Sequence, residues 1–225
     1  MKRYQISLLF LLLFIPTLLL SQVADPDPHR FDKEIENFVH WDKQNAWPAD
    51  GILFAGSSSV RMWMSHDAFP DLPIINRGFG GAHISDVQFF IHKVILKYKP
   101  QIIIFYCGDN DIAGKKSPEQ VLGDYKELVA AVQEILPKTH IIYVPIKPSI
   151  ARWSMWPEME TTNNLVREFS ETSPTLHYAD IATPMLEKSS PPPADLFLED
   201  GLHMTPKGYA IWDKVVGDLI KKYMK

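Results

Sequence analysis

A single cysteine, Cys107, stands in a chain of 225 residues. It has no partner for an internal disulfide, and no Cys/His cluster has the spacing of a structural zinc site. Neither a metal nor another cofactor is indicated. Also missing is any long Lys/Arg block: 23 basic against 27 acidic side chains give a formal net charge of -4. Such a chain lacks the electrostatic footprint that phosphate backbones demand, so nucleic acid is an improbable partner. No glycine run matches G-x-G-x-x-G, and no phosphate-loop lysine follows one, so a nucleotide is not indicated. What is present is an ordinary globular composition, 46% hydrophobic and 22% charged. At this length one domain buries about 70% of the surface of its unfolded chain and needs no staples.

The one long apolar run opens the chain. Lys2 and Arg3 precede a stretch from Ile6 to Leu20 that is apolar apart from Ser7 and Thr17 and is interrupted by Pro16. A basic start, an apolar stretch of about fifteen residues and a polar exit at Ser21-Gln22 is the layout of a secretory signal peptide. The run is short of the roughly twenty residues a membrane span requires. No cysteine ends it, which excludes a lipid-modified N-terminus. Residues 1–21 read as a signal peptide, and the mature chain as secreted or periplasmic with no stable membrane span.

Residues 22–49 read as a polar lead-in with a helix over Asp32 to Asn45, in which Ile35, Phe38, Val39 and Trp41 face a core. From residue 50 short apolar runs alternate with helical patterns. Ile52-Leu53-Phe54-Ala55 ends at Gly56, as expected of a strand buried on both faces. Similar runs occur at Ile74-Ile75, Ile102 to Tyr106, Ile141 to Val144 and Leu176 to Ala179. Helices are expected over Ile84 to Tyr98, Pro118 to Leu136, Met159 to Thr172 and Pro206 to Met224. Ser117 before Pro118 marks one helix start clearly. The alternation predicts an α/β fold: a five-stranded, mostly parallel sheet covered on both faces.

In such a sheet chemistry sits where the carboxyl ends of the strands open into loops. Four segments lie there. Gly56-Ser57-Ser58-Ser59 follows the first strand and suits either a helix cap or a nucleophile on a sharp turn. It is not the G-x-S-x-G elbow, because Val60 stands in place of the second glycine. Asn76 to His83 follows the second strand, and its three glycines suit a tight loop or a backbone that donates N–H groups to a ligand. Cys107-Gly108-Asp109-Asn110-Asp111 follows the third, as a turn or as a presentation of the Asn110 amide. Cys107 itself reads as a buried small residue. Asp200-Gly201-Leu202-His203 precedes the last helix, and a carboxylate three residues ahead of an imidazole can hold the ring by Nδ1–H while Nε2 stays free as a base.

Together the segments supply what acyl transfer needs: a nucleophile, an oriented base and oxyanion donors. Ser58, His203 and Asp200 suit a triad; the Gly81 N–H and the Asn110 amide, with the Ser58 N–H, suit an oxyanion hole. The stretches Ile52 to Ser58, Asn76 to Gly81, Gly108 to Asp111 and Asp200 to His203 resemble, in order, the GDSL-type or SGNH hydrolases. The resemblance covers the chain from about residue 50 to its end. It implies a three-layer, flavodoxin-like sandwich, metal-independent serine ester hydrolysis, and catalytic roles for Ser58, Gly81, Asn110 and His203 with Asp200 as third triad member. One departure is plain: Gly56-Ser57-Ser58 replaces the usual Gly-Asp-Ser, and Ser58 is chosen over Ser57 and Ser59 because it aligns with the family serine. The chain is otherwise similar to the platelet-activating-factor acetylhydrolase-like and carbohydrate-esterase branch, which implies a short acyl group on a small-molecule or glycan ester.

Arg152 and Trp153, in the large-residue stretch after the fourth strand, are candidate substrate contacts, since tryptophans stack on sugar rings or line acyl pockets and equally cover sheet edges. Two other readings stand beside the esterase. One is a lysophospholipase or thioesterase with a long acyl channel. The other is a non-catalytic ligand-binding module on the same fold.

Overall fold

Side chains alternate across a strand, so five short apolar strands can feed two separate cores. In the computed structural model, which describes residues 22–224, they do so. Leu53, Ala55, Ile103, Phe105, Ile141 and Tyr143 face one layer, while Ile52, Phe54, Ile102, Ile104, Tyr106 and Ile142 face the other. The leader read at residues 1–21 lies outside the described residues.

In chain order the elements are α1 (Asp32–Gln44), β1 (Ile52–Gly56), α2 (Ser58–Arg61), α3 (Ser65–Ala68), β2 (Ile74–Gly78), α4 (Ile84–Phe89), α5 (Ile91–Val94), β3 (Ile102–Tyr106), α6 (Asp109–Ala113), α7 (Pro118–Ile135), β4 (His140–Tyr143), α8 (Trp156–Ser170), β5 (Leu176–Tyr178), α9 (Ala182–Leu186) and α10 (Pro206–Tyr223). The sheet order is β2-β1-β3-β4-β5 and every pairing is parallel. Helices α1, α4, α5, α7 and α8 cover one face, with Ile35, Val87, Val94, Leu128 and Val166 in the core. Helices α2, α9 and α10 cover the other, with Val60, Met185, Trp212, Val216 and Ile220. The three-layer sandwich expected from the sequence is therefore present, with a sheet that is wholly parallel.

Two helical expectations are corrected. The single helix over Ile84 to Tyr98 is divided into α4, α5 and a 3-10 turn, because Phe90 takes φ -95 and ψ 12 and Ile95 takes φ -129 and ψ -66, both away from helical values. Within α1 only Ile35 is fully buried; Trp41 is 43% exposed and lies over the Arg77 guanidinium, 4.7 Å from its ring centre. The start of α7 is as read, with the Ser117 hydroxyl accepting from the Gln120 N–H at 3.2 Å.

The register positions the site. Gly56 pairs with Gly78 on one side and with Tyr106 on the other, so β1, β2 and β3 end flush. The three loops that carry Ser58, Gly81 and Asn110 therefore leave the sheet at one level, beside the β1–β3 switch in strand order where crevices form in open α/β sheets. Gly56 holds this junction tight: its φ is +134, and a Cβ there would lie 1.8 Å from the Tyr106 carbonyl oxygen. A Cβ on Gly78 would lie 2.4 Å from the Arg61 backbone nitrogen, so α2 rests directly on the β2 backbone.

The lead-in is tied to this end of the sheet. The Gln120 side chain clamps the Val23 backbone, accepting from its N–H at 3.2 Å and donating to its carbonyl at 2.6 Å. Asp25 pairs with Lys116 at 2.5 Å, and Asp42 accepts from Arg77 at 2.7 Å and from the Tyr98 hydroxyl at 2.8 Å.

Candidate active site

Three adjacent serines leave β1, and their surroundings separate them. Ser57 is fully buried, and its hydroxyl has no hydrogen-bond partner among the described residues. The Ser59 hydroxyl is buried and accepts from the Lys147 ammonium at 3.1 Å. Only Ser58 reaches solvent. Its Oγ lies 3.0 Å from His203 Nε2. The Asn76 amide pins this turn to β2, donating to the Val60 carbonyl at 2.8 Å and accepting from the Gly78 N–H at 2.9 Å.

His203 sits two residues before the capped start of α10, where the Thr205 hydroxyl accepts from the Gly208 N–H. The Asp200 carboxylate folds back over its own turn. One oxygen accepts from the Leu202 and His203 N–H groups, each at 2.9 Å, and the other lies 2.6 Å from His203 Nδ1. Those bonds, the imidazole contact foremost, hold the Asp200 carboxyl at about 2, below its ordinary value. A charged carboxylate on Nδ1 fixes the tautomer that leaves Nε2 able to take a proton from Ser58. Asp200 remains 47% exposed as a side chain, so this orienting contact is made at the surface.

The residues expected as oxyanion donors lie on the loops that follow β2 and β3. Gly81 is exposed in the left-handed region, at φ +79, and a Cβ there would meet nothing within 4 Å. Asn110, in the first turn of α6, donates from Nδ2 to the Ala82 carbonyl at 3.1 Å and accepts at Oδ1 from Arg152 Nη2 at 2.9 Å. An amide nitrogen carries two hydrogens, so one remains for a ligand. Cys107 is buried with its sulfur 3.2 Å from the Ala82 carbonyl, and burial pushes its thiol well above the ordinary value. It is packing, as read.

Beneath these groups lies a charged layer that the sequence reading passed over. The Lys147 ammonium, 1% exposed, donates to the Tyr106 hydroxyl at 3.0 Å and to Asp109 at 3.4 Å as well as to Ser59. Asp109 also meets Arg152 Nη1 at 3.1 Å. Burial opposes the charge on Asp109, but Lys147 and Arg152 outweigh it and hold the carboxyl below its usual value. Arg152, read as a substrate contact, thus turns its guanidinium inward onto two protein acceptors. A second buried group sits at the start of α4: Asp111 accepts from the Ile84 N–H and pairs with Lys116 at 3.1 Å, and Lys116 also meets Asp124 at 2.5 Å. The available signal for Lys147 was its place in Val144-Pro145-Ile146-Lys147-Pro148, a lone charge in an apolar run at the carboxyl end of a strand. Trp153 is half-buried and stacks on Trp156, with centroids 6.0 Å apart and planes 7° from parallel.

Among the described residues no group of three or more His, Cys, Asp or Glu side chains is placed to hold a metal ion. Nor is any helix of the described residues long and apolar enough to cross a membrane.

Solved structures share the architecture. A Streptococcus pneumonia protein described as a platelet activating factor superposes with a TM-score of 0.75 at 18% identity, over 84% of this chain and 92% of its own. A GDSL-like lipase from Bacteroides thetaiotaomicron gives 0.71 at 17% identity, over 84% and 97%. A variant of an acetyl-xylooligosaccharide esterase from Geobacillus Stearmophilus gives 0.62 at 14% identity, over 79% and 95%. At such identities these likenesses speak for the fold. No curated protein sequence matches the chain. The profile of the GDSL-like lipase/acylhydrolase family matches residues 54–211, a span that runs from β1 through His203 into α10. The chain belongs to the GDSL-like lipase/acylhydrolase family and is a carboxylic ester hydrolase.

Proposed function

We propose that this hydrolase works through Ser58, His203 and Asp200, with the Gly81 N–H and the Asn110 amide as oxyanion donors. The observation that carries the reading is the unbroken line of contacts from Asp200 to His203 Nδ1 at 2.6 Å and from His203 Nε2 to Ser58 Oγ at 3.0 Å. Ser58 Oγ attacks the ester carbonyl as its proton passes to Nε2, and the carbonyl oxygen becomes the oxyanion between Gly81 and Asn110. Collapse breaks the bond to the alcohol, which leaves with the proton from His203. Water then attacks the acyl-enzyme, giving its proton to His203, and the carboxylic acid departs as Ser58 regains its hydrogen.

The preferred substrate is a short acyl ester on a sugar or small alcohol. Three things support it: the open setting of Ser58 and Gly81, the half-exposed Trp153 indole next to Arg152, and the likeness to an acetyl-xylooligosaccharide esterase. The test is hydrolysis of p-nitrophenyl acetate, butyrate and octanoate by wild type beside Ser58→Ala. Activity that falls with chain length and vanishes in the variant supports the reading. A preference for octanoate would move the substrate to lipid esters, and equal rates in the two proteins would discard Ser58.

The same reading includes export, on the strength of the basic start and apolar run in residues 1–21. N-terminal sequencing of the chain recovered from medium or periplasm should find a new terminus near Gln22. Met1 retained there would refute it.

A further inference from the structure

An asparagine amide makes a poor oxyanion donor unless something decides which end faces the substrate. Its oxygen and nitrogen are nearly identical in shape, and half a turn about the last side-chain bond would aim a carbonyl at a developing negative charge. In this chain both ends of Asn110 are dictated. Ala82 offers a carbonyl, which only Nδ2 can satisfy at 3.1 Å. Arg152 offers a guanidinium N–H, which only Oδ1 can accept at 2.9 Å. A flipped amide would meet a like group at each contact.

The guanidinium is itself fixed. Its second arm reaches Asp109 at 3.1 Å, and Asp109 is 4% exposed as a side chain and held in turn by Lys147. Lys147 bonds the hydroxyl of Ser59, the neighbour of the nucleophile. One chain of contacts therefore runs from the turn bearing Ser58, through Lys147, Asp109 and Arg152, to the Asn110 amide. A planar fork with two donors can hold two acceptors at once in fixed relation; a lysine there would hold one.

We propose that Arg152 is a positioning residue: it locks the Asn110 amide with Nδ2 toward the acyl oxygen and ties that orientation to the nucleophile turn through Asp109 and Lys147. The proposal rests on the reading of Asn110 as an oxyanion donor. It also accounts for the inward turn of an arginine whose place in the sequence suggested a substrate contact.

The test is a double-mutant cycle between Arg152→Met and Asn110→Ala, read by kcat and KM on p-nitrophenyl acetate and by Tm. Arg152→Met alone should lower kcat about 10- to 100-fold with KM little changed, a part of the loss expected from removing the donor outright. In the Asn110→Ala background the same change should cost less than about 3-fold, because nothing remains to orient. Arg152→Lys, which keeps the charge and loses the fork, should fall with Arg152→Met. Equal costs in both backgrounds, full recovery in Arg152→Lys, or a loss confined to KM would each overturn the proposal. A second readout needs no turnover. In ¹⁵N-labelled protein the Asn110 side-chain amide, assigned by its absence in Asn110→Ala, should give one sharp pair of signals that broadens or splits in Arg152→Met. An unchanged pair overturns the proposal. If wild type hydrolyses no ester, the reading of the reaction fails while the amide spectrum still decides the coupling.

Discussion

The two halves of the proposed site are built in opposite ways. In the nucleophile and base half the orienting pair is made at the surface from nearby sequence: Asp200 reaches His203 within one turn and is 47% exposed, while Ser58 comes to His203 from 145 positions away. The oxyanion half is backed by buried charge gathered from across the chain, with Asp109, Asp111, Lys116 and Lys147 each 4% exposed or less as side chains. Surface contacts of the first kind contribute little to stability, whereas removing one partner of a buried pair strands the other at a cost of several kcal/mol. One half should govern chemistry with little effect on folding; the other should govern both.

The largest effect expected is on the first half. Ser58→Ala or His203→Ala should lower kcat about 10⁴- to 10⁶-fold, and the double variant should be no worse than either, since the pair acts as a unit. Steady-state hydrolysis of p-nitrophenyl acetate checks this, and thermal melts should show Tm shifts within about 2 °C. Next comes the donor. Asn110→Ala should cost about 10²- to 10³-fold in kcat, close to 3 kcal/mol of transition-state stabilisation, with KM nearly constant. Asn110→Ala at full activity would remove the amide from the site.

The stability contrast follows. Lys116→Met strands Asp111 and frees Asp25 and Asp124, so it should cost about 3 kcal/mol, or roughly 6–12 °C in Tm by calorimetry. Asp200→Asn should leave Tm within about 2 °C while slowing turnover. Burial opposes the charge on Lys116, but its three carboxylates prevail and raise its value well above normal, so its contribution is present at neutral pH and is lost only at strongly alkaline pH. Equal melting of the two variants would erase the distinction between the halves.

The smallest effect lies at the far end of the sheet. His177 stacks on Tyr223, with ring centres 3.6 Å apart, and burial, with help from His140, lowers its value to about 4 from 6.5. Between those pH values the unfolded chain binds a proton there that the folded chain refuses, so stability falls as pH drops through the window. After allowance for solvent screening of a half-buried ring the effect is about 1 kcal/mol. His177→Phe should flatten the decline of Tm between pH 6.5 and pH 4 by about 2–4 °C.

The same contrast explains what the sequence disclosed. Asp200 and His203 are three residues apart and interact within their own turn, so their spacing alone announced the contact. The strands were legible because burial on both faces leaves continuous apolar runs such as Ile102 to Tyr106. The break at Phe90 was not legible, since Ile84 to Tyr98 keeps helical spacing straight through it. The choice among Ser57, Ser58 and Ser59 rested on family likeness, because nothing local distinguishes three identical residues; burial and Lys147 do. The direction of Arg152 was hidden for a similar reason: its partners, Asp109 and Asn110, lie more than forty positions away, and only the fold brings them within reach.

The steric fit at Gly56 and Gly78 bears on how such a protein changes over generations. Both glycines meet their neighbours backbone to backbone, so the spacing of the loops above them does not depend on the volume of any side chain. Substitutions elsewhere can repack either layer, altering melting temperature and solubility, while the reacting atoms keep their separation. A single methyl at position 56 would instead wedge β1 away from β3. The geometry of these loops is in that sense held by main chain, a basis on which one architecture can persist between chains that agree at only 18% of positions.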